Sequence, residues 1–495
     1  MAHDDGEAAA TGGEDRLSAL PDELIIKILL RLATDTAART SVLSRRWRLL
    51  WCLLPELHFV LRAANAYSIR TALGAHDAPS LRQLLVLSTD GTPESMPEWL
   101  PVAARRLSGE LIYIVQNKDD KEDEAEEGGA FLELPCFGRA TNLSLVLGFN
   151  TLAVPPSGVF ARLTELFLET IRFHGPCELG DAVSSARSPS LKELTILDSR
   201  GLSNFTIHSD SLVKMVLNSL KGLQQLNVVA PALQVLHVQF CFAHNPAGAQ
   251  PVADISAPQL EILQWNDAFD SSSVQFSKMA NLEWLGTYFF HVYGHGLENS
   301  RHNHNCLRLL QRFQFDAIPT LSLSLSYFPD INDYEYLMED MTVLPDILFL
   351  NLTVLGNRHA IGPSLFHILR MCTGLRRLKI VLIVSKKPQR VMRPQHFHFE
   401  RVRHQVGLDS GRWTQHFSRL ADLVVERPRR ALAVERPRRA LAVERPSPSP
   451  WSALATPHPR RAALLPSSRP DTSGGGCVKQ RRKARRGLES AWLGF

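Results

Sequence analysis

Short apolar runs recur from about residue 81 to residue 384, each with the spacing leucine-x-x-leucine-x-leucine. Side chains alternate along a strand, so the last two apolar residues of a run point to the same side. This spacing is the strand signature of leucine-rich repeats, and its repetition predicts stacked coils that share one core. The runs are Leu163/Leu166/Leu168, Leu191/Leu194/Ile196, Leu212/Met215/Leu217, Leu223/Leu226/Val228, Leu233/Leu236/Val238, Leu260/Leu263/Trp265 and Leu375/Leu378/Ile380.

Successive coils are expected about 21–27 residues apart, because the main runs begin at residues 191, 212, 233, 260 and 282. Two further runs, Leu202–Ile207 and Leu223–Val228, fall between these starts. A half-step is too short for a strand and a full helix, so we predict two short strands per coil in places, one on each face. A generic sheet of hairpins with leucine-rich strands is the alternative that the pattern leaves open.

Residues 60–115 alternate between helical and strand-like patterns. Ala64–Leu73 and Pro93–Leu107 have helical content, whereas Leu84–Ser88 and Leu111–Val115 have the character of strands. An open solenoid exposes the apolar end of its core, which a terminal segment has to cover. We therefore expect residues 60–115 to cap the N-terminal end of the solenoid.

Helix signals are dense in residues 15–59. Pro21 suits the first position of a helix, and the two acidic residues after it lie where the helix dipole favours negative charge. Thr34 or Asp35 is expected to cap a second helix, and Ser44 a third. The apolar stripes of the first and third helices are Leu24, Ile25, Ile28, Leu29, Leu32 and Trp47, Leu50, Trp51.

A three-helix module of about 45 residues is too small to enclose all of these side chains. Exposed contiguous apolar surface usually marks a site for a partner. The composition of the module therefore predicts that it binds another protein or packs on the domain that follows it.

Two separated motifs in this module carry a resemblance. Leu20-Pro-Asp-Glu-Leu24 is followed, at the expected distance, by Arg39-Thr-Ser-Val-Leu-Ser-Arg-Arg-Trp-Arg48 and Leu50-Trp51. Together they resemble the F-box of plant F-box/leucine-rich-repeat proteins of the FBD type. Ala230-Pro-Ala-Leu233 and Ala257-Pro-Gln-Leu260 are similar to that family's repeat turns.

The resemblance implies a partner. In that family the F-box packs on the acidic Skp-type adaptor of a cullin-based ubiquitin ligase, and the repeats hold an unidentified target protein. Arg45, Arg46 and Arg48 would meet the adaptor's acidic surface or form a solvated helix face. The residues implied to face the adaptor, or to shape the surface that does, are Leu20, Pro21, Leu24, Ile25, Ile28, Leu29, Val42, Leu43 and Trp47. The alternative for each of the nine is a place in the module's own core.

The C-terminal part of the chain departs from the family. Leu369–Leu378 resembles the stretch before the FBD region, but beyond about Lys386 the sequence is rich in Arg and Pro, and Glu426–Val434 is repeated at once as Glu435–Val443. Residues 386–495 hold 24 Lys and Arg against 8 Asp and Glu, so their net +16 leaves −11 for the rest of a chain whose total is +5. We expect this tail to be disordered. Its run Lys479–Arg486 is similar to a nuclear-import signal.

No enzyme chemistry is expected. The sequence has no phosphate loop, zincin helix or nucleophile elbow, and the seven cysteines lack the close spacing of a metal or redox motif. His291, His295, His302 and His304 are interpreted as a surface loop rather than a metal site, because a predicted loop does not supply the ligand geometry that a metal demands. We expect no cofactor and no metal. The basic tail lacks interleaved aromatics for base stacking, so nucleic acid is not an expected partner, although a salt-sensitive nucleic-acid binder is a further hypothesis.

The start of the chain and its cysteines point to a compartment. Met1–Glu14 is acidic and lacks the basic and apolar parts of a secretory signal. No apolar run approaches the roughly 20 residues that span a bilayer, and an odd number of cysteines suits a reducing environment. We therefore expect a protein of the nucleus or cytosol with no membrane partner.

The sequence thus predicts an α+β protein. Its parts are a disordered tail (1–14), a three-helix F-box (15–59), a leucine-rich-repeat α/β solenoid (60–385) and a disordered basic tail (386–495). The resemblance implies the substrate-recognition subunit of a Skp–cullin–F-box ubiquitin ligase. The alternative is a non-catalytic interaction protein, or a defective paralogue, that binds the adaptor without directing degradation.

Overall fold

The computed structural model describes residues 19–61, 66–88, 96–115, 131–174, 179–242, 251–294, 296–328, 334–357, 359–383 and 424–426. All of them belong to one structural unit, Met1–Arg430. The second unit, Ala431–Phe495, lies outside the described residues, as does the tail repeat apart from Glu426. The helices are α1 Asp22–Leu29, α2 Thr34–Arg39, α3 Arg45–Trp51, α4 Ala66–Ala75, α5 Met96–Arg106, α6 Leu179–Val183, α7 Gly296–Arg312 and α8 Gly362–Met371.

The strands follow the predicted apolar runs. They are β1 Glu56–Leu61, β2 Leu81–Ser88, β3 Leu107–Val115, β4 Phe131–Glu133, β5 Asn142–Val146, β6 Thr151–Ala153, β7 Glu165–Glu169, β8 Arg172–Phe173, β9 Glu193–Leu197, β10 Asn204–His208, β11 Lys214–Asn218, β12 Gln225–Val229, β13 Val235–Gln239, β14 Val252–Ser256, β15 Ile262–Asn266, β16 Val274–Phe276, β17 Trp284–His291, β18 Tyr293–Gly294, β19 Thr320–Ser326, β20 Glu335–Tyr336, β21 Phe349–Leu355, β22 Arg377–Ile383 and β23 Val424–Glu426.

The three N-terminal helices form as the sequence indicates, with one change in capping. Ser44 caps α3, since its hydroxyl accepts a hydrogen bond from the Trp47 amide at 3.3 Å. Pro21 precedes α1 rather than opening it. The predicted cap of α2 is wrong: Thr34 is the first residue of that helix, and its hydroxyl accepts from the His58 amide at 2.6 Å. That bond ties α2 to β1.

One long parallel sheet organises the solenoid. Among the described residues it contains fourteen strands in the order β1-β2-β3-β5-β7-β9-β11-β13-β15-β17-β19-β21-β22-β23. We call it the front sheet. Its inward side chains align across neighbouring strands into one buried ladder, because the register pairs leucine with leucine. Part of the ladder is Leu143, Leu166, Leu194, Met215, Leu236, Leu263, Leu285, Leu321, Leu350 and Leu378.

A second row of strands lies on the other side of the same core. β10, β12, β14 and β16 form a parallel sheet, and β4, β6 and β8 form another. The runs Leu202–Ile207 and Leu223–Val228 contribute to the first of these. The prediction of two strands per coil in the middle of the solenoid is therefore confirmed, and the hairpin alternative is wrong because neighbouring strands of these three sheets pair in parallel.

The strands of residues 60–115 join the solenoid directly. β2 and β3 pair in parallel with each other, and β3 pairs with β5, so they are the first coils of the front sheet rather than a separate cap. Leu84, Val86 and Leu111 are buried, which places them in the same core. The terminal strand of the described sheet is instead β1, and α2 contacts it.

Three residues of the tail belong to the sheet. β23, Val424–Glu426, pairs in parallel with β22, so these three residues of the region predicted to be disordered form a strand. An unpaired strand edge offers free backbone donors and acceptors, and β23 pairs with those of β22. The rest of 386–495, and the predicted 1–14 tail, lie outside the described residues.

A column of left-handed residues follows the front strands. Thr170, Asp198, Ser219 and Phe240 come directly after β7, β9, β11 and β13, with φ between 46° and 54°. Each amide donates to the carbonyl of the last residue of the next front strand, as Ser219 does to Gln239 at 2.9 Å. The coils are thereby linked beyond the ends of the strands.

No described helix is both long and apolar enough to cross a bilayer.

Candidate functional site

The interior of the N-terminal helical module (described residues 19–55) is made by α1 and α3. Ile25 and Leu29 on α1, and Trp47 and Leu50 on α3, are at most 7% exposed and belong to one core. Residues three or four apart on a helix lie on one face, so each helix presents a pair to the other. Ile25, Leu29 and Trp47 therefore lie in the module's own core, which is the alternative that the sequence left open for them.

Apolar side chains also lie on the outside of this module. Leu24 and Ile28, one turn apart on α1, are 43% and 38% exposed. Val42 and Leu43, in the turn between α2 and α3, are 83% and 65% exposed. Pro21 is exposed at the start of α1. We call these five residues the apolar docking surface; all five were among the predicted site residues.

Three further leucines of this module differ in how far they are exposed. Leu20, the remaining predicted site residue, is half-buried against the core. Leu49 and Leu53 are 67% and 40% exposed, although the motif did not single them out. Their spacing of four residues, out of phase with Trp47 and Leu50, is the signal that would have found them.

The arginines of α3 divide between two roles. Arg46 turns back to α1, where its Nε donates to Asp22 Oδ1 at 2.7 Å and its guanidinium donates to the Leu20 carbonyl. Arg45 and Arg48 are exposed. Of the three cations expected to meet an acidic partner, Arg46 is thus held by its own module, and the other two point to solvent.

Comparison with known families assigns this module. The family model of the F-box domain matches residues 17–59, and the family model described as FBD-associated F-box protein At5g56370, LRR repeats, matches residues 98–280. The chain carries an F-box and leucine-rich repeats of the FBD-associated kind. The predicted relationship to plant F-box/leucine-rich-repeat proteins is confirmed, as are the F-box and the repeat region of the predicted fold.

Related curated proteins come from Arabidopsis thaliana. The F-box/FBD/LRR-repeat protein At4g03220 is 29% identical over 303 residues, which are 57% of this chain and 57% of the relative. The F-box/FBD/LRR-repeat protein At2g04230 is 29% identical over 251 residues, 46% of this chain and 53% of the relative. The FBD-associated F-box protein At5g38590 is 30% identical over 215 residues, 41% of this chain and 50% of the relative. The chain thus spans about half the length of the curated relatives it matches.

The leucine-rich repeats offer a second surface, which is the outer face of the front sheet. Side chains that alternate with the buried ladder point away from the core. One register row on this face changes character along the stack, from acidic through apolar to basic. The row is Glu56, Gln83, Glu110, Asn142, Glu165, Glu193, Lys214, Val235, Ile262, Trp284, Thr320, Phe349 and Arg377.

Trp284 is held flat on this face by a glycine. Gly286 is the next outward position on β17, and a Cβ there would lie 2.6 Å from Trp284 Cζ3 and 2.5 Å from Gln264 Oε1. The missing side chain therefore makes the slot in which the indole lies. The half-buried indole continues an apolar strip formed with Val235 and Ile262.

A neutral histidine lies beside this strip. His237, in the next row, pairs in register with Val216 and Gln264. Burial, and then the charge of Lys214, lower the pKa of His237 to about 4. Its Nδ1 is buried and has no hydrogen-bond partner among the described residues. An unsatisfied buried nitrogen is costly to the folded state.

The histidine cluster is not the surface loop that the sequence predicts. His291 ends β17, and His302 and His304 lie on α7, whereas the side chain of His295 is outside the described residues. His302 stacks on Tyr288 with ring centroids 5.3 Å apart, which uses one imidazole as a packing element. Among the described residues no group of His, Cys, Asp or Glu has the arrangement of a metal site.

Proposed function

We propose that the chain is the substrate-recognition subunit of a Skp–cullin–F-box ubiquitin ligase. The F-box binds the Skp-type adaptor, which connects it to a cullin, and the leucine-rich repeats bind a target protein. The observation that carries the proposal is the apolar docking surface on a module that the comparison identifies as an F-box. Exposed apolar side chains in such number are stabilised when a partner removes them from water.

The role of the chain in ubiquitin transfer is positional. A bound target is held beside the ligase's catalytic end, so its effective concentration there rises without any chemistry by this chain. Such a subunit acts in the nucleus, the cytosol or both, where the ubiquitin ligases of this type act.

Adaptor capture tests the F-box part. Leu24→Asp combined with Ile28→Asp places two carboxylates on the apolar docking surface, and both positions are already exposed, so the fold should tolerate them. We expect the purified full chain to capture the Skp-type adaptor, and the double variant to lose at least tenfold in affinity, since an unpaired charge is costly to desolvate.

A matched control lies outside the F-box. Phe315, after α7, is 92% exposed, so Phe315→Asp makes the same kind of change at a site with no role in adaptor binding. Capture by this control should equal that of the unmodified chain. Equal capture by the Leu24/Ile28 double variant would overturn the proposal, as would the absence of a cullin from the complex that the unmodified chain captures.

A further inference from the structure

We propose that the outer face of the front sheet binds an extended segment of a partner protein that is cationic at one end and apolar next to it. This inference rests on the proposed function only in taking the repeats as the partner-binding part. It adds the chemical class of the partner and the direction in which the segment lies across the strands.

The acidic part of the face keeps its charge. Glu110 accepts a hydrogen bond from the Gln83 amide at 2.8 Å, and Glu165 accepts one from the Asn142 amide at 2.6 Å. These donors are neutral, and no described cation forms an ion pair with either carboxylate. In the same part of the sheet, burial and then Asp198 raise the pKa of Glu169, so a cation nearby would relieve both effects.

The charge ends where the apolar strip begins. Glu193 pairs with Lys214 at 3.3 Å, and the next three positions of the row are Val235, Ile262 and Trp284. An acidic cluster alone would attract any cation. The strip directly beside it selects a segment in which apolar side chains follow the cationic ones.

The far end of the face fixes the direction. Arg377 is exposed on β22, with its guanidinium 5.5 Å from the centre of the Phe349 ring, and Lys379 follows it at the next outward position. A segment bound the other way round would place its cations over the apolar strip, away from the carboxylates of the row and nearer to Arg377 and Lys379, which repel them. The cationic end therefore lies over β3–β9, and the apolar end over β13–β17.

The span suits a short extended segment. From β7 to β17 the front sheet takes five strand steps, which at about 4.8 Å each is roughly 24 Å. A chain of about 7 extended residues covers that distance. A linear segment of a partner is thus long enough to contact both the carboxylates and the apolar strip.

Synthetic peptides test this with the full chain. The probe is a fluorescein-labelled peptide of about 12 residues, long enough to reach from β3 to β17, with an arginine cluster followed by alternating leucine and serine. A shuffled peptide of the same composition is the comparison. We expect fluorescence polarisation to show the ordered peptide binding at least tenfold more tightly than the shuffled one, and binding to weaken as salt screens the carboxylates.

Variants locate the binding site. Glu110→Lys combined with Glu165→Lys, and separately Trp284→Ser, should each weaken the ordered peptide about tenfold. Glu98→Lys, on the exposed side of α5, makes the same kind of charge reversal at one position away from this face and should leave affinity within about twofold. Trp284→Phe keeps an aromatic ring in the slot and should retain most of the affinity, even if Trp284→Ser proves unstable.

The outcomes separate this inference from the proposed function. Equal binding of ordered and shuffled peptides, no binding of either, or equal loss in the Glu98 and Glu110/Glu165 variants would overturn the inference, while adaptor capture by the same preparations would leave the proposed function standing. The Leu24/Ile28 double variant should lose the adaptor and keep the peptide. The face variants should lose the peptide and keep the adaptor.

Discussion

Arg46 on α3 clamps the start of α1 through Asp22, with Nε and Oδ1 2.7 Å apart and a second hydrogen bond to the Leu20 carbonyl. The pair is partly exposed, so its own contribution is modest. Its effect is geometric, because it fixes where α1 begins and hence where Leu24 and Ile28 lie. The docking surface of the F-box is thus positioned by a residue that does not belong to it.

Loss of this clamp should loosen α1. We expect Arg46→Ala to destabilise the F-box by about 1 kcal/mol, to speed amide hydrogen exchange in α1, and to weaken adaptor capture by several-fold. Arg45→Ala removes the same charge from an exposed neighbour and should change neither measurement. Unchanged exchange in Arg46→Ala would show that the clamp does not hold α1.

The turn column makes Ser219 sensitive to side-chain shape. Ser219 has φ +54°, where a β-branched residue is strained and glycine is not. We expect Ser219→Val to lower the free energy of unfolding by roughly 1–2 kcal/mol, and Ser219→Gly to leave it unchanged or raise it slightly. Chemical denaturation of the full chain distinguishes them. Similar stability of the two variants would contradict the strain assigned to this turn.

Asp267 holds a turn between coils through backbone amides. Its buried carboxylate accepts from Ala268 at 2.8 Å and from Phe242 at 3.1 Å, and also from the Cys241 amide. Asp267→Asn leaves one acceptor oxygen, so we expect destabilisation of about 1–3 kcal/mol.

The control for Asp267 is the exposed Asp254, on β14. Asp254→Asn removes the same charge and should alter the free energy of unfolding by less than about 0.5 kcal/mol. If both variants had equal stability, the backbone hydrogen bonds to Asp267 would not matter to the turn.

His237 makes stability depend on pH. Its pKa is lowered from 6.5 to about 4 by burial and by Lys214, so the folded chain stays neutral here while the unfolded chain takes up a proton. The neutral imidazole therefore contributes fully to the free energy of unfolding above pH 6.5. This contribution is lost as the pH falls from 6.5 toward 4, by roughly 3 kcal/mol in total.

The measurement is the difference between two chains. Thermal unfolding of the unmodified chain and of His237→Gln, followed from pH 7 to pH 4.5, removes the contribution of the other titrating groups. We expect the stability of the unmodified chain to fall more steeply with acid. Parallel curves would show that folding does not lower the pKa of His237.

Gly286 and Trp284 should act as a coupled pair. Gly286→Ala places a methyl group where the indole lies, which we expect to cost about 1–3 kcal/mol of stability. In a Trp284→Ala background the slot is empty, so the same change should cost much less. A double-mutant cycle by chemical denaturation measures this coupling; additive effects would mean that the indole does not occupy the slot.

Much of the fold followed from local patterns. Spacing of the L-x-x-L-x-L kind fixed which strand residues were buried, and the half-step runs indicated a second row of strands, because alternation along a strand depends only on the backbone. The F-box motifs in residues 15–59 also fixed the helices and most of the exposed docking residues. The Ser44 cap was predictable for the same local reason.

Other features depended on contacts between distant residues. Thr34 bonds His58 instead of capping its own helix, Ile25 and Trp47 point inward, and Arg46 binds Asp22. Nothing in helical spacing decides which side of an all-apolar stripe a second helix will cover. The graded row on the outer face likewise arises only when the coils stack, since its members lie some 20–36 residues apart in sequence and meet through strand register. The sequence by itself determined the elements and the ladder, because these are local and periodic; the tertiary structure decided which faces stay exposed, because that depends on what packs against them.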